Sequence, residues 1–350
     1  MKILVTGGCG FLGSNLASHF IKRGDTVVIA DALYRKGSTQ NLKWLYSIDK
    51  QSQLEFKQID VAERESVDSL FRLHAPFDYI CHVAGQVAMT TSIANPLKDL
   101  QTNILGTFNI LESCREHSPN ALIAYSSTNK VYGDLEWLRY EESETRYKLT
   151  DYSQGLDESI PLDFSTPYGC SKGSADQYVR DWARIYDLHT VVFRHSTIYG
   201  GRQFASFDQG WIGWFCLKAL EQKKAIDDGN TPEPFSIAGT GKQVRDILHA
   251  NDLVSLYQAA IDNKDHLRGE IFNIGGGLEN SLSLLELFDL LSTKLGLTEL
   301  VFNRTARRSS DQDCFIADIR KAKRLLNWQP RTSKEEGILE ILNWTREILK

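Results

Sequence analysis

Short apolar runs alternate with longer stretches in which apolar residues recur at helical spacing through the first half of the chain. The runs KILVT (2–6), TVVIA (26–30), LEFKQI (54–59), FDYICHVA (77–84), ALIAYSS (121–127) and HTVVFRH (189–195) predict strands. Between them the spacing predicts helices near 11–23, 63–74, 99–117 and 167–187. Regular alternation of strand and helix implies βαβ units, and continuously apolar strands suit a sheet covered on both faces. The expected fold class is α/β, a doubly wound parallel sheet.

Two stretches break that rhythm. Residues 134–165 form a long, polar, acid-leaning insertion that includes EESET and GLDES and lacks a clear period, a pattern of either disorder or function. Beyond about residue 200 the alternation weakens, and helices near 211–224, 250–263, 283–295 and 335–349 dominate. The expected division is a sheet domain over 1–200, carrying the insertion, and a smaller mixed α/β lobe over 201–350 that interleaves with the last strands and helices of the sheet domain.

Composition acts mainly by exclusion. The 350 residues are 42% hydrophobic and 24% charged, with no low-complexity tract. No apolar run approaches the ~20 residues of a membrane span, and the opening KILVTGG lacks the regions of a signal peptide. A net charge of -5 argues against a general nucleic-acid binder. Six scattered cysteines (Cys9, Cys81, Cys114, Cys170, Cys216, Cys314) form no C-x-x-C pair and read as buried thiols of a reducing cytoplasm. The eight histidines show no metal-ligand spacing, so no metal is expected.

Candidate chemistry begins after the first strand. TGGCGFLGSNLASHF places Gly7, Gly10 and Gly13 between that strand and an apolar-periodic helix. Glycines there allow a tight turn and close backbone approach to a pyrophosphate, which the free N–H groups of the helix start can receive. Asp31 closes the second strand, where an acidic residue can hydrogen-bond a ribose 2'-hydroxyl and repel a 2'-phosphate. That favours NAD over NADP, although Arg35 and Lys36 stand near enough to reach a phosphate.

In STPYGCSKGSADQY, Tyr168 and Lys172 stand one helical turn apart, behind a proline that opens the helix. With 13 tyrosines in the chain, chance supplies roughly one such pair, and Tyr46 with Lys50 forms a second. The Tyr168 pair follows the strand that ends in YSSTNKVYG, which sets Thr128 at a C-terminal strand end. A doubly wound sheet gathers its ligands there. A tyrosine near its ordinary pKa of ~10 is a poor base at neutral pH. A lysine ammonium and a positive nicotinamide would favour the phenolate, and Thr128 could hydrogen-bond the substrate oxygen.

Together TGGCGFLGSNL, HVAGQVAMTTS, YSSTNKVYG and TPYGCSK resemble the extended short-chain dehydrogenase/reductase superfamily, the nucleotide-sugar epimerases and dehydratases, whose sheet is of Rossmann type. RHSTIYGGRQFASFDQGWIGWF, GTGKQVRDILHANDL and RRSSDQDCFIADIRKA resemble the branch that interconverts CDP-paratose and CDP-tyvelose at carbon 2. The resemblance covers nearly the whole chain. It implies Thr128, Tyr168 and Lys172 as the catalytic set, and Gly7, Gly10, Phe11, Leu12, Gly13 and Asp31 as holding a tightly bound NAD. Asp60 and Val61 would lie near the adenine, and Ala84, Gln86 and Asn103 beside the ribose and nicotinamide, with Tyr168 and Lys172. Toward the nucleotide-diphospho-sugar it implies Gln86, Thr128, Asn129 and His195, with Arg202, Gln203, Arg245 and Arg308 at the diphosphate.

The resemblance also implies a cytoplasmic homo-oligomer, dimer or tetramer, paired through helices 96–117 and 167–187, and an insertion that covers the sugar. Dehydratases of the superfamily carry an Asp-Glu pair directly after the strand-five Thr. Here Asn129 and Lys130 stand there, which argues against elimination. A 4-epimerase of UDP-hexoses, or a 2-epimerase of another nucleotide sugar, would share the same catalytic set. A non-catalytic dinucleotide sensor usually lacks the Tyr–Lys pair, and a net oxidoreductase would release NADH.

Overall fold

A computed structural model describes residues 1–307 and 310–349. Seven strands form one parallel sheet: β1 (Lys2–Thr6), β2 (Thr26–Asp31), β3 (Leu54–Gln58), β4 (Tyr79–His82), β5 (Leu122–Thr128), β6 (His189–His195) and β7 (Glu270–Ile274). They lie side by side in the order β7-β6-β5-β4-β1-β2-β3, and every neighbouring pair is parallel. The strand order reverses direction between β1 and β4, which opens a crevice at the C-terminal strand ends. Register decides what faces that crevice: Thr128 lies opposite His195 at the tips of β5 and β6.

The apolar runs of the strands are explained by burial on both faces. Ile3, Val5, Val27 and Ile29 turn to one side, against Leu16 and Phe20 of the Phe11–Arg23 helix and Leu253 and Leu256 of the Ala250–Asp262 helix. Leu4, Val28, Ile80 and Ile123 turn to the other, against the Arg64–His74, Gly106–His117 and Thr166–Tyr186 helices. Each such side chain contributes about 1.5–3 kcal/mol on full burial. The sequence pattern carried six of the seven strands; the seventh, EIFNI, lies beyond residue 200 and returns to the edge of the sheet beside β6.

The helix expected over 99–117 is three pieces: Pro96–Asp99, a π-helical turn over Leu100–Leu105, and Gly106–His117. Asn95 caps the first piece by accepting from the Lys98 N–H, with Pro96 in the opening turn. A helix over Ser38–Ile48 has no strong apolar period and was not expected; it starts after Gly37, whose φ is 87°, and buries Asn41 and Leu45.

The 134–165 insertion is a small folded unit. Its Tyr140–Glu142 and Tyr147–Leu149 strands form a hairpin, and Leu135, Leu138, Leu156 and Ile160 are buried with Val131, Tyr132, Phe315 and Ala317. Single apolar residues at irregular spacing make this satellite core, so no period betrays it.

In the C-terminal part, the Val244–His249 strand is flanked by Ser281–Ser283, Cys314–Phe315 and Thr197–Tyr199. Phe235–Ala238 pairs with Phe302–Thr305. Phe215, Phe235 and Phe288 pack edge-on or tilted beneath them. No helix among the described residues is long and apolar enough to cross a membrane. All six cysteines are free; five are buried, but Cys170 is exposed on the outer face of the Thr166–Tyr186 helix.

Candidate active site

The first turn after β1 can be made only by glycine. Gly7 has a φ of 67°, and a Cβ there would stand 2.8 Å from the Ala84 Cα beyond β4. At Gly13 a Cβ would lie 2.1 Å from the Gly7 carbonyl oxygen, so helix and loop could not pack. The Phe11–Arg23 helix opens on Gly10 with no side-chain cap and no acid in its first turn. Its free N–H groups and the positive end of its dipole are left for an anion. Asp31 fixes the loop: Oδ2 accepts from the Cys9 N–H at 2.9 Å and Oδ1 from the Leu33 N–H at 2.7 Å. Burial pushes the Asp31 pKa up, and these backbone bonds oppose it. A carboxylate has lone pairs to spare for a ribose hydroxyl.

A cavity of about 960 Å³ follows the C-terminal strand ends, at the upper end of the size of ligand sites. Gly7, Gly10, Phe11, Leu12, Gly13 and Asp31 line it, as do Asp60, Val61, Ala84 and Gln86. So do Thr128, Asn129, Tyr168, Lys172, His195, Arg202, Gln203 and Arg245. Those expected residues share one space. Asn103 does not line it. Its Oδ1 accepts from the Gln86 N–H at 2.8 Å, and its Nδ2 donates to Gln86 O and Ser171 Oγ. Placed by the π-helical turn, Asn103 is spent as a brace between the β4 loop and the Tyr168 helix. Arg308 lies outside the described residues.

Tyr168 and Lys172 project from one face of the Thr166–Tyr186 helix, and both are buried. Burial raises the Tyr168 pKa; its hydrogen bond with Thr128 lowers it, Asp99 raises it and Arg35 lowers it. In this arrangement the Lys172 ammonium turns to the tip of β5. Its ammonium donates to Ser126 O at 2.5 Å and sits 4.3 Å from the centroid of the Tyr125 ring, because a buried cation takes the nearest strong acceptor. Burial brings the Lys172 pKa down to about 7, against the pull of Asp176 and Asp99. One turn further on, Asp176 accepts from Arg194 Nε and Nη2, both at 2.9 Å, and from Ser127 Oγ at 2.8 Å. The catalytic helix is thereby fastened to the tips of β5 and β6.

Arg35 reaches the same region, a role its place in DALYRKG does not announce. Its Nη2 donates to Gln86 Oε1 at 3.0 Å and its Nη1 to Gln209 Oε1 at 2.6 Å. Gln86 Nε2 in turn donates to Asp99 Oδ1 at 3.0 Å.

On the other side of Thr128, His195 is 4% exposed and both its ring nitrogens lack a partner among the described residues. Burial first, and Lys172 second, bring its pKa down to about 3, so the ring is neutral. Gln203 Oε1 is likewise buried without a partner. Arg245 donates from Nη2 to Asp311 Oδ1 and from Nη1 to Gln312 O, each at 2.8 Å. Arg202 lines the cavity with its guanidinium 4.0 Å from the Trp44 ring centroid, a cation–π contact. Gln312 was not foreseen; wholly buried, it accepts from Asn129 Nδ2 at 2.9 Å and donates to Gly133 O at 2.7 Å. Nothing in its local sequence marks it.

One further expectation is corrected. No residue of the insertion lines the cavity, because its apolar residues are committed to Phe315 and Ala317. Tyr46 is exposed and Lys50 bonds the Ser47 carbonyl, as befits a chance pair. Asp68, Glu116 and His117 bring possible ligand atoms within 4.8 Å of one another on the surface, although their spacing showed no sign of it. Asp68 is already paired with Arg72 and His117.

The family model for GDP-mannose 4,6 dehydratase matches residues 4–341. The CDP-paratose 2-epimerase of Salmonella typhi is 52% identical over 348 residues, 99% of this chain and 100% of that protein. The UDP-glucose 4-epimerase of Thermotoga maritima, solved with UDP-glucose, aligns at 28% identity and a TM-score of 0.81 over 100% of both chains. The dTDP-glucose 4,6-dehydratase DesIV of Streptomyces venezuelae, solved with NAD, aligns at 26% identity and a TM-score of 0.81 over 99% of this chain and 97% of that one. With the Gly7 turn, the Thr128–Tyr168–Lys172 set and the strand order already described, the chain belongs to the extended short-chain dehydrogenase/reductase family of nucleotide-sugar epimerases and dehydratases.

Proposed function

We propose that the protein is an NAD-dependent epimerase that inverts carbon 2 of a nucleotide-diphospho-sugar, converting CDP-paratose to CDP-tyvelose through a transient 2-keto sugar. One observation carries this: Thr128, Tyr168 and Lys172 share the cavity while Asn129 and Lys130 stand where elimination would need an acid pair. The 52% identity to a CDP-paratose 2-epimerase supports the choice of carbon and sugar.

The residues present fit NAD. The Gly7–Gly13 turn and the open helix start would receive its pyrophosphate, Asp31 its adenosine ribose, and Lys172 its nicotinamide ribose. When bound, NAD supplies a two-electron acceptor that returns the electrons in the same turnover, so none is consumed. Tyr168, as phenolate, takes the proton of the carbon-2 hydroxyl and later gives it back. Thr128 donates a hydrogen bond to that oxygen while it is a carbonyl. Lys172, one helical turn from the phenol, would favour its ionised form while the ammonium keeps its proton. Neutral His195 and the free Gln203 oxygen hold the sugar without a strong ionic bond, so the ring can turn and present its other face.

Proton NMR of CDP-paratose with purified protein and no added cofactor tests this. The tyvelose anomeric signal is expected. Its absence even after NAD is added would overturn the assignment and direct attention to UDP-hexoses. The Tyr168→Phe variant should fold, keep its NAD and lose turnover.

An exposed apolar surface supports an assembly. Leu97, Leu100 and Leu105 are exposed along 96–117, and Tyr178, Ile185 and Tyr186 along the catalytic helix. We assign this apolar face to a homo-oligomer contact, and sedimentation showing only monomer would remove it. The free thiols accord with a reducing cytoplasm.

A further inference from the structure

Lys130 lines the cavity, yet the chemistry above gives it no task. It stands two residues beyond Thr128, and its backbone N–H donates to Thr128 Oγ1 at 3.2 Å. Its ammonium donates to Ser310 O at 2.8 Å. A carbonyl oxygen satisfies a hydrogen bond but does not neutralise a charge.

Among the described residues the charged groups that face Lys130 are Arg245, Asp311, Asp134 and Arg307. Asp311 is already bonded to Arg245 at 2.8 Å, and Arg307 is paired with Asp313 at 2.9 Å. Among the described residues Lys130 forms no ion pair of its own. Burial brings its pKa down to about 8, with Arg245 as the next cause. Asp134 forms no ion pair among the described residues and is the carboxylate left to face Lys130. An ammonium that donates to a single carbonyl still has two N–H groups to offer an incoming anion.

The proposed substrate supplies that anion at one place. Its diphosphate sits on carbon 1, the neighbour of carbon 2, whereas carbon 4 lies across the ring. To bring carbon 2 to Tyr168, an enzyme must also bring the sugar-linked phosphate close to the tip of β5. To bring carbon 4 there, it must keep the phosphate away. A cation that lines the cavity on the residue two beyond Thr128 serves the first task only.

Resting on the nucleotide-sugar reading of this site, we propose that Lys130 determines regiospecificity by gripping the sugar-linked β-phosphate and so setting carbon 2 against Tyr168.

The test compares CDP with CMP, which differ by the β-phosphate, by calorimetric titration of the holoenzyme. Lys130→Met should weaken CDP roughly ten- to hundredfold, the scale of a lost charge-assisted bond, and leave CMP unchanged. Lys130→Arg should keep most of the CDP preference. In the wild type the preference should decline as pH rises through about 8, and in Lys130→Arg it should not. Equal weakening of both nucleotides, or unchanged CDP affinity, overturns the proposal. Should Lys130→Met fail to fold, the pH dependence in wild type against Lys130→Arg decides alone. A wild type that binds UDP and UMP but neither cytidine nucleotide would refute the CDP-sugar reading, and the same comparison with UDP and UMP would still judge Lys130. Binding of none of the four would overturn both.

Discussion

Arg35 and Gln209 meet at 2.6 Å, joining the loop after β2 to the segment that leads into the Trp211–Asp227 helix. The other arm of the guanidinium holds Gln86. Thr90 donates to Asp208 at 2.5 Å and Asn15 to Gly201 O at 3.1 Å, so residues 201–210 are strapped along the cofactor half of the cavity. Gln209→Ala and Arg35→Met should each speed NAD loss, by about fivefold for about 1 kcal/mol of lost hydrogen bonding. NAD content after prolonged dialysis measures it, and wild-type retention in both variants would show that the strap does not gate the cofactor.

Gly13→Ala should be felt twice. Its new Cβ would fall 2.1 Å from the Gly7 oxygen, a backbone atom that cannot swing aside. The strain of overpacking costs about 1–3 kcal/mol, and the shift would open the Gly7 turn at the pyrophosphate position. A lower melting temperature together with reduced NAD content is the expected result. Loss of only one of the two would separate packing from binding.

How much could be read in advance depended on where the physical signal lay. The six strands of the first half were legible because a strand buried on both faces must be apolar throughout, as Ile3 to Val5 and Val191 to Phe193 are. Tyr168 and Lys172 stood out from Tyr46 and Lys50 because chain order placed Thr128 at a strand tip before them. Contacts between single polar residues far apart in sequence were illegible. Gln312 meets Asn129 across 183 positions and Arg35 meets Gln209 across 174, and no spacing rule reaches that far. The resemblance sets Asn103 beside the nicotinamide, yet the structure spends it on a brace to Ser171 behind the cavity wall.

Asp246 should make stability fall with pH. It lies wholly buried on the Val244–His249 strand, where Oδ2 accepts from the Gly277 and Ala317 N–H groups, both at 3.1 Å. Burial pushes its pKa up to about 6, against about 3.9 in the unfolded chain. Between those values the native state holds a proton that the unfolded state has lost. Its contribution is therefore full below about pH 4 and lost as pH rises through about 6, on the order of 2–3 kcal/mol in all. Asp246→Asn can still accept both N–H bonds and cannot ionise. Thermal melts of variant and wild type should diverge in the variant's favour from pH 4 to pH 7; parallel curves would show that Asp246 titrates normally.

Arg194 and Asp176 offer a test of how the catalytic helix is held. Their side chains are 3% and 1% exposed, the pairing is bidentate, and Arg194 Nη1 also donates to Tyr132 OH at 2.9 Å. Arg194→Met would strand a buried carboxylate and should cost about 3–5 kcal/mol, whereas replacing both partners by apolar residues should recover most of that. Asp176→Asn should do something further. Asp176 is the foremost charge that keeps Lys172 protonated against burial. Without it the Lys172 pKa falls below about 7, the ammonium is lost at lower pH, and the alkaline limb of the kcat profile moves toward acid. Arg194→Met leaves that carboxylate in place and should not move the limb in this direction. Profiles of wild type and Asp176→Asn that coincide, with only the melting temperature lowered, would reduce Asp176 to a fastening with no electrostatic hand in catalysis.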